Sequence, residues 1–213
     1  NDWFFQSDSS YYLDYSGYGD EFKTLSELGV VCVAAAGNWY GGVRDRATGE
    51  YIDYPVFDGN GAYDYYFAEA GTHSTQGIAS PAAYPEVISV GATWGGSSNT
   101  SMDAANPSSI TFFSQRDDEL LDVVAYGGGI TSAKMGGGET AMSGTSMAAP
   151  YVSGLVLLMQ QMAEQELGRK LTPAEVKLIV NTQSNQNFDG DDEDYTQQNP
   201  TNLYYNEASI NDW

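Results

Sequence analysis

Ten residues from Gly29 to Asn38, GVVCVAAAGN, carry no charge and show no alternation of apolar with polar side chains. The run is too short for a membrane helix, which needs about 20 apolar residues, so it reads as a strand buried on both faces. Such strands occur in parallel sheets covered by helices. Upstream, Tyr11, Tyr15, Tyr18, Phe22, Leu25 and Leu28 recur at intervals of three and four, on one face of a helix. A short strand at Asp2 to Phe5 precedes them. After Ser80, SPAAYPEVISVGAT gives a proline-studded turn and a β-branched strand at Val87 to Val90; further strands are expected at Ile110 to Phe113 and Asp122 to Ala125. From Thr145, residues Val152, Leu155, Val156, Met159 and Met162 mark a core-facing helix. A second helix opens at LTPAEVKLIVNT, where Thr172 caps, Pro173 suits the first turn and Glu175 completes a capping box. The sum is an α/β fold, a mainly parallel β-sheet flanked by helices.

With 213 residues, 41% of them hydrophobic, the chain can bury one sizeable core. Residues 1–184 carry the periodic signals of a domain; residues 185–213 are polar and acidic and read as a tail, a linker or an edge extension. Trp39 to Thr75 is rich in Gly, Tyr and Asp without a sustained period, hence a long surface excursion. Eight basic residues against 29 acidic ones give a formal charge of −21, which repels nucleic acid and suits salty or calcium-bearing surroundings. Cys32, the only cysteine, sits in the apolar run as a packing thiol. No stretch reaches the ~18 to 20 apolar residues a membrane helix needs, and no signal peptide is visible, which says nothing about location. The first residues, NDWFF, read as a strand already under way, so the start looks like a cut inside a larger protein.

Chemistry concentrates at Ser146. Its small neighbours Gly144, Thr145, Ala148 and Ala149 let a substrate backbone approach, and a helix N-terminus offers N–H groups to a developing oxyanion. Taken alone, Thr145 or Ser146 is equally an ordinary helix cap, and Asn38 after Gly37 an ordinary turn former. The larger array separates these readings. SGTSMAAPYVSG resembles the serine motif of the subtilisin-like serine peptidases, the subtilases. VVCVAAAGN resembles that family's oxyanion strand and Asn, SPAAYPEVISVGA its following turn and strand, and FFSQRDDELLDVVAYGGGI the strands before its serine. The resemblance covers about Asn1 to Ser184. It implies Ser146 as nucleophile and Asn38 as oxyanion donor, with Gly37, Gly144 and Thr145 beside the substrate.

A serine hydroxyl needs a base, and in the family an Asp and a His precede the Asn and Ser in chain order. The only His is His73, in EAGTHSTQGIAS, which looks like the family's His signature, but Ala70 stands where the catalytic His belongs. His73 reads as a loop residue. Lys134 lies in glycine-rich sequence that offers no desolvation for a Ser-Lys arrangement. The resemblance therefore implies the C-terminal part of a catalytic domain, with His and Asp supplied by an N-terminal part of the same domain. This chain alone is expected to be inactive. It further implies a peptide or protein substrate, an extracellular or cell-surface location, and Trp39 and Tyr40 as candidate cleft contacts. Structural calcium is implied on the carbonyls of Ala82, Tyr84 and Val87, with Pro81 cis. Asp189, Asp191 and Asp194 lack a full calcium-loop pattern and read as a solvated acidic run. Tyr126 and Tyr151 depart from the family pattern compatibly with packing. Two other classes stand beside the peptidase: a pseudopeptidase serving as a structural or peptide-binding module, and a calcium-dependent adhesion protein using its acidic, tyrosine-rich loops.

Overall fold

The computed structural model describes residues 5–6, 19–38, 40, 43–45, 51–52, 65–67, 77–94, 109–189 and 203–208. In chain order its elements are β1 (Phe5–Gln6), α1 (Gly19–Glu27), β2 (Cys32–Ala35), β3 (Val43–Asp45), β4 (Tyr51–Ile52), β5 (Tyr65–Phe67), β6 (Ile78–Ala79) and β7 (Val87–Trp94). They continue as β8 (Val123–Gly128), β9 (Ile130–Ala133), β10 (Glu139–Met142), α2 (Thr145–Leu167), α3 (Pro173–Gln183), β11 (Asn185–Phe188) and β12 (Tyr204–Glu207). The main sheet runs β11-β12-β8-β7-β2. β2, β7, β8 and β12 are parallel, and β11 is antiparallel to β12. This is the mainly parallel α/β architecture that the apolar run calls for.

All eight residues of β7 are buried, because the strand is paired on both sides and covered on both faces. Ile88, Val90, Ala92 and Trp94 alternate toward one face, where they meet Val123 and Ala125 of β8 and the stripe Ala148, Val152, Leu155, Val156 and Met159 of α2. Burying each of the larger side chains contributes roughly 1.5–3 kcal/mol. The opposite face packs Val124, Leu121 and Tyr205 against Ala36, Ile78, Ala82 and Ala83. The capping box is formed: the Thr172 hydroxyl accepts from the Glu175 N–H, and the Glu175 carboxylate accepts from the Thr172 N–H. Arg169 completes the corner by pairing with Glu175, and that pairing, with the Thr172 N–H, holds the Glu175 carboxyl down at about 2.

Several expectations change. β2 is only half-buried, since among the described residues nothing pairs with its outer edge; burial still pushes the Cys32 thiol up. Ile110 to Phe113 is a turn closed by the Ser114 N–H on the Thr111 carbonyl, with a single bridge from Ile110 to Thr93, because this segment braces other loops instead of extending the sheet. Met162 is half exposed, and Ala163 takes the buried position one residue on. The 39–75 excursion carries a three-stranded antiparallel sheet, β4-β3-β5, and the glycine-rich segment before the serine is the hairpin β9-β10. Of the strand expected at Asp2 to Phe5, only Phe5 is described, in β1 paired with β6, and residues 2–4 lie outside the described residues; the helix begins only at Gly19 among the described residues. No helix among the described residues is long and apolar enough to cross a membrane.

The sheet also continues past Ser184. β12 lies between β11 and β8, and Tyr205 and Ala208 are core residues. Asp189 is fully buried and faces the equally buried Arg116 at 3.3 Å, so it is an internal counterion and no part of a solvated acidic run; Asp191 and Asp194 lie outside the described residues. Arg116 in turn stacks on Tyr40, 4.3 Å from its ring centre, and donates to the Thr111 carbonyl. Asp189→Ala leaves this guanidinium without its carboxylate. We expect a loss of about 3–5 kcal/mol in urea unfolding, and a smaller loss when Arg116→Met is added, because the second change removes the stranded charge.

Candidate active site

Asn38 stands three residues beyond the end of β2, and Ser146 is the second residue of α2, 108 positions later. They meet through Thr145. The Asn38 side-chain oxygen accepts from the Thr145 N–H at 2.7 Å and from the Thr145 hydroxyl at 2.9 Å, while that hydroxyl accepts from the Gly37 N–H at 3.1 Å. A backbone N–H can only donate, so the end of the amide facing Thr145 must be its oxygen. The amide NH₂ is thereby turned away from Thr145 as a donor. It lies 3.5 Å from where a Cβ on Gly144 would stand.

Helix capping does not explain Thr145 or Ser146. The N-cap of α2 is Gly144, with no side-chain cap, and the Thr145 hydroxyl is spent on Asn38 and Gly37. Ser146 is exposed, one position past a fully buried Thr145. Of the N–H groups in the first turn, that of Thr145 goes to Asn38 and that of Met147 to the Gly144 carbonyl, so the Ser146 N–H belongs to the helix end's open donors. Thr145, Gly144 and Gly37 are all buried. They form a layer under Ser146 and Asn38 that supports both.

The surrounding backbone locks this arrangement. Gly37 has φ +116°, a region that favours glycine, and its carbonyl accepts from the Gln115 N–H. The Phe113 carbonyl accepts from the Tyr40 N–H. Tyr40 is 1% exposed beneath Arg116, so it supports the loop from inside and cannot contact a substrate as expected from sequence; Trp39 lies outside the described residues. On the other side, the Gly144 N–H donates to the Gly127 carbonyl at 2.8 Å. A Cβ on Gly127 would stand 2.6 Å from the Gly144 oxygen and 2.7 Å from the Ala92 Cβ. The close approach of helix start to sheet thus requires glycine there.

Comparison with known proteins agrees with this geometry. The family model described as the subtilase family, a peptidase group, matches residues 7–204. The chain belongs to the subtilase family. As a subtilase it is 38% identical over 106 residues to the "Intracellular serine protease" of Paenibacillus polymyxa, covering 50% of this chain and 29% of that protein. It is 37% identical over 106 residues to the "Major intracellular serine protease" of Bacillus subtilis, covering 50% and 30%. The "Subtilisin-like protease 1" of Arthroderma gypseum is 42% identical over 87 residues, covering 40% and 16%. Among solved structures, the prenylagaramide maturation protease PagA shares the fold at a TM-score of 0.58 and 22% identity, across 91% of this chain and 52% of that one. The chain thus spans about half of that structure and less than a third of these three relatives. Two of the relatives are named intracellular, so kinship by itself assigns no compartment.

The other subtilase positions separate clearly. His73 lies outside the described residues. Lys134 is exposed in the β9-β10 hairpin, without the desolvation that a lysine base requires. Tyr126 and Tyr151 pack edge to face, ring centres 5.8 Å apart, joining β8 to α2. The Ser80–Pro81 bond is cis, as the resemblance implied. In the turn it opens, the residues named for calcium are buried, and the Val87 carbonyl accepts from the Lys177 ammonium at 2.9 Å. No group of three or more His, Cys, Asp or Glu side chains placed to hold a metal ion occurs among the described residues. Gly127, Arg116 and Lys177 were given no role in the sequence reading, and Thr145 was named there without its bond to Asn38. Of the first three, only Gly127 left a trace there, as the first glycine of AYGGGI at a strand end.

Gly127→Ala is expected to cost about 1–3 kcal/mol in urea unfolding, the penalty for overpacking. Gly154→Ala is the control. It lies on the exposed side of α2 with nothing within 4 Å of the added Cβ, and it should stabilise by about 0.5–1 kcal/mol.

Proposed function

We propose that the protein containing this chain is a serine endopeptidase, and that Ser146 is its nucleophile. The observation that carries this reading is the pair of hydrogen bonds from Thr145 to the Asn38 oxygen, which aims an amide donor beside an exposed serine at a helix N-terminus. The Ser146 hydroxyl attacks the peptide carbonyl, and its proton passes to a histidine base. The carbonyl oxygen, now negative, receives hydrogen bonds from the Asn38 amide and the Ser146 N–H. Collapse expels the amine and leaves an acyl group on Ser146, which water then hydrolyses.

The base and its orienting Asp come, in this proposal, from a part of the domain N-terminal to Asn1, and this chain by itself is inactive. Two facts support that division. The chain covers about half of its solved neighbours, and the outer edge of β2 is unpaired among the described residues, next to exposed Leu28 and Val30. An additional strand fits there. An extracellular or cell-surface location belongs to the same proposal, supported by the charge of −21, which cations in salty surroundings offset.

The test uses the intact protein and a fluorophosphonate, which forms an adduct only with an activated serine. Labelling should occur at Ser146 and vanish in Ser146→Ala. Asn38→Ala should lower kcat by about 10²–10³, the loss seen on removing such a donor in a subtilisin, with a far smaller change in KM. Folded protein that takes no label favours the rival, in which the fold serves as a peptide-binding module with an idle serine.

A further inference from the structure

The turn between β6 and β7 is where calcium was expected, and its carbonyls already have a cation. Lys177, on α3, extends toward it, and its ammonium lies 2.9 Å from the Pro85 carbonyl, 2.9 Å from the Val87 carbonyl and 2.9 Å from Asp122 Oδ2. An ammonium has three donors, and these three acceptors satisfy them. Asp122 is built into the same cluster. Its Oδ2 also accepts from the Ser89 N–H at 2.9 Å and the Ser89 hydroxyl at 3.1 Å, and its Oδ1 from the Asn181 amide at 3.2 Å. Only 9% of the Asp122 side chain and 28% of the Lys177 side chain are exposed.

A calcium ion does not fit this set. Of the three expected carbonyl donors, Val87 is bound to Lys177, and Tyr84 accepts from the Val87 N–H at 3.0 Å. Calcium sits about 2.4 Å from each oxygen ligand, so an ion sharing the Val87 carbonyl would stand within about 5 Å of the ammonium. Like charges at that separation repel. Asp122 carries one negative charge, which the single positive charge of Lys177 balances; a divalent ion beside the ammonium would leave the cluster strongly positive.

We propose that the Lys177 ammonium is the resident cation of this turn and that the Ala82 to Val87 carbonyls bind no calcium, so this subtilase corner is held without a metal. Side chain and turn arrive together when α3 packs on the sheet, making the cation part of the fold. The inference is independent of peptidase activity.

Nuclear magnetic resonance of the intact protein, with its lysine ammonium groups ¹⁵N-labelled, reads the cluster directly. The Lys177 signal, assigned by its absence in Lys177→Arg, should be protected from exchange and unchanged in about 10 mM calcium, well above the ~1 mM dissociation constants of weak calcium modules. A signal that calcium displaces, or an ammonium exchanging as fast as a surface lysine, overturns the proposal. In EDTA, Lys177→Ala should lower Tm by about 4–8 °C, with Lys177→Arg retaining most of the stability. A loss below about 1 °C on removing the ammonium also overturns it.

Discussion

Thr145 fixes the Asn38 side-chain oxygen and so turns the amide NH₂ away from itself, and the surrounding backbone is arranged around that contact. Thr145 reaches Asn38 because α2 begins where the Gly144 N–H meets the Gly127 carbonyl, at the end of β8. β8 is registered on β7, with Val90 opposite Val123, and β7 on β2, with Ala35 opposite Val90. Three parallel strands thus carry the positional information from the start of the helix to the Asn. The site lies at their carboxyl ends, where an α/β sheet leaves backbone free to form a crevice. No long-range signal needs to be invoked: the spacing between Asn38 and the start of α2 is the spacing of strands across one sheet.

What was legible in the sequence was local. The apolar run of β2, the β-branched start of β7, the stripe of α2 and the capping box of α3 each lie within about one element, and each formed. The pattern around Asn38 and Ser146 singled out their segments, and the structure brings those segments together through Thr145. What escaped was decided by distant partners. β2 was expected to be covered on both faces, yet its burial depends on what lies along its outer edge, a matter on which the ten residues are silent. Tyr204–Glu207 carries no strand-like run of its own and becomes one because Tyr205 and Ala208 find buried positions beside β8. Tyr40 reads as an exposed aromatic until Arg116, 76 positions on, is seen stacked upon it. Thr145 reads as a cap until its hydroxyl is found spent elsewhere.

The charge pattern has the same logic. A chain with 29 acidic and 8 basic residues repels itself, and basic residues among those described are used in two different ways. Arg169 and Lys170 make exposed pairs with Glu175 and Glu164, arrangements that contribute little and fade with salt. Arg116 and Lys177 do something different. Each reaches inward to backbone carbonyl oxygen and one carboxylate, Arg116 to one carbonyl and Lys177 to two, and each ties together segments far apart in sequence: Arg116 joins Tyr40 and the Thr111 turn to the end of β11, Lys177 joins the turn before β7 to the strand start at Asp122.

These inward pairs are screened far less than surface ones, whereas the repulsion among exposed carboxylates is screened strongly. Raising the ionic strength therefore weakens what drives this chain apart while sparing the inward pairs of Arg116 and Lys177. The balance explains how a fold so acidic can rest on so few basic residues. It also explains why Asp122 and Asp189 matter to the architecture: among the described residues, both sit largely buried beside an inward-reaching cation.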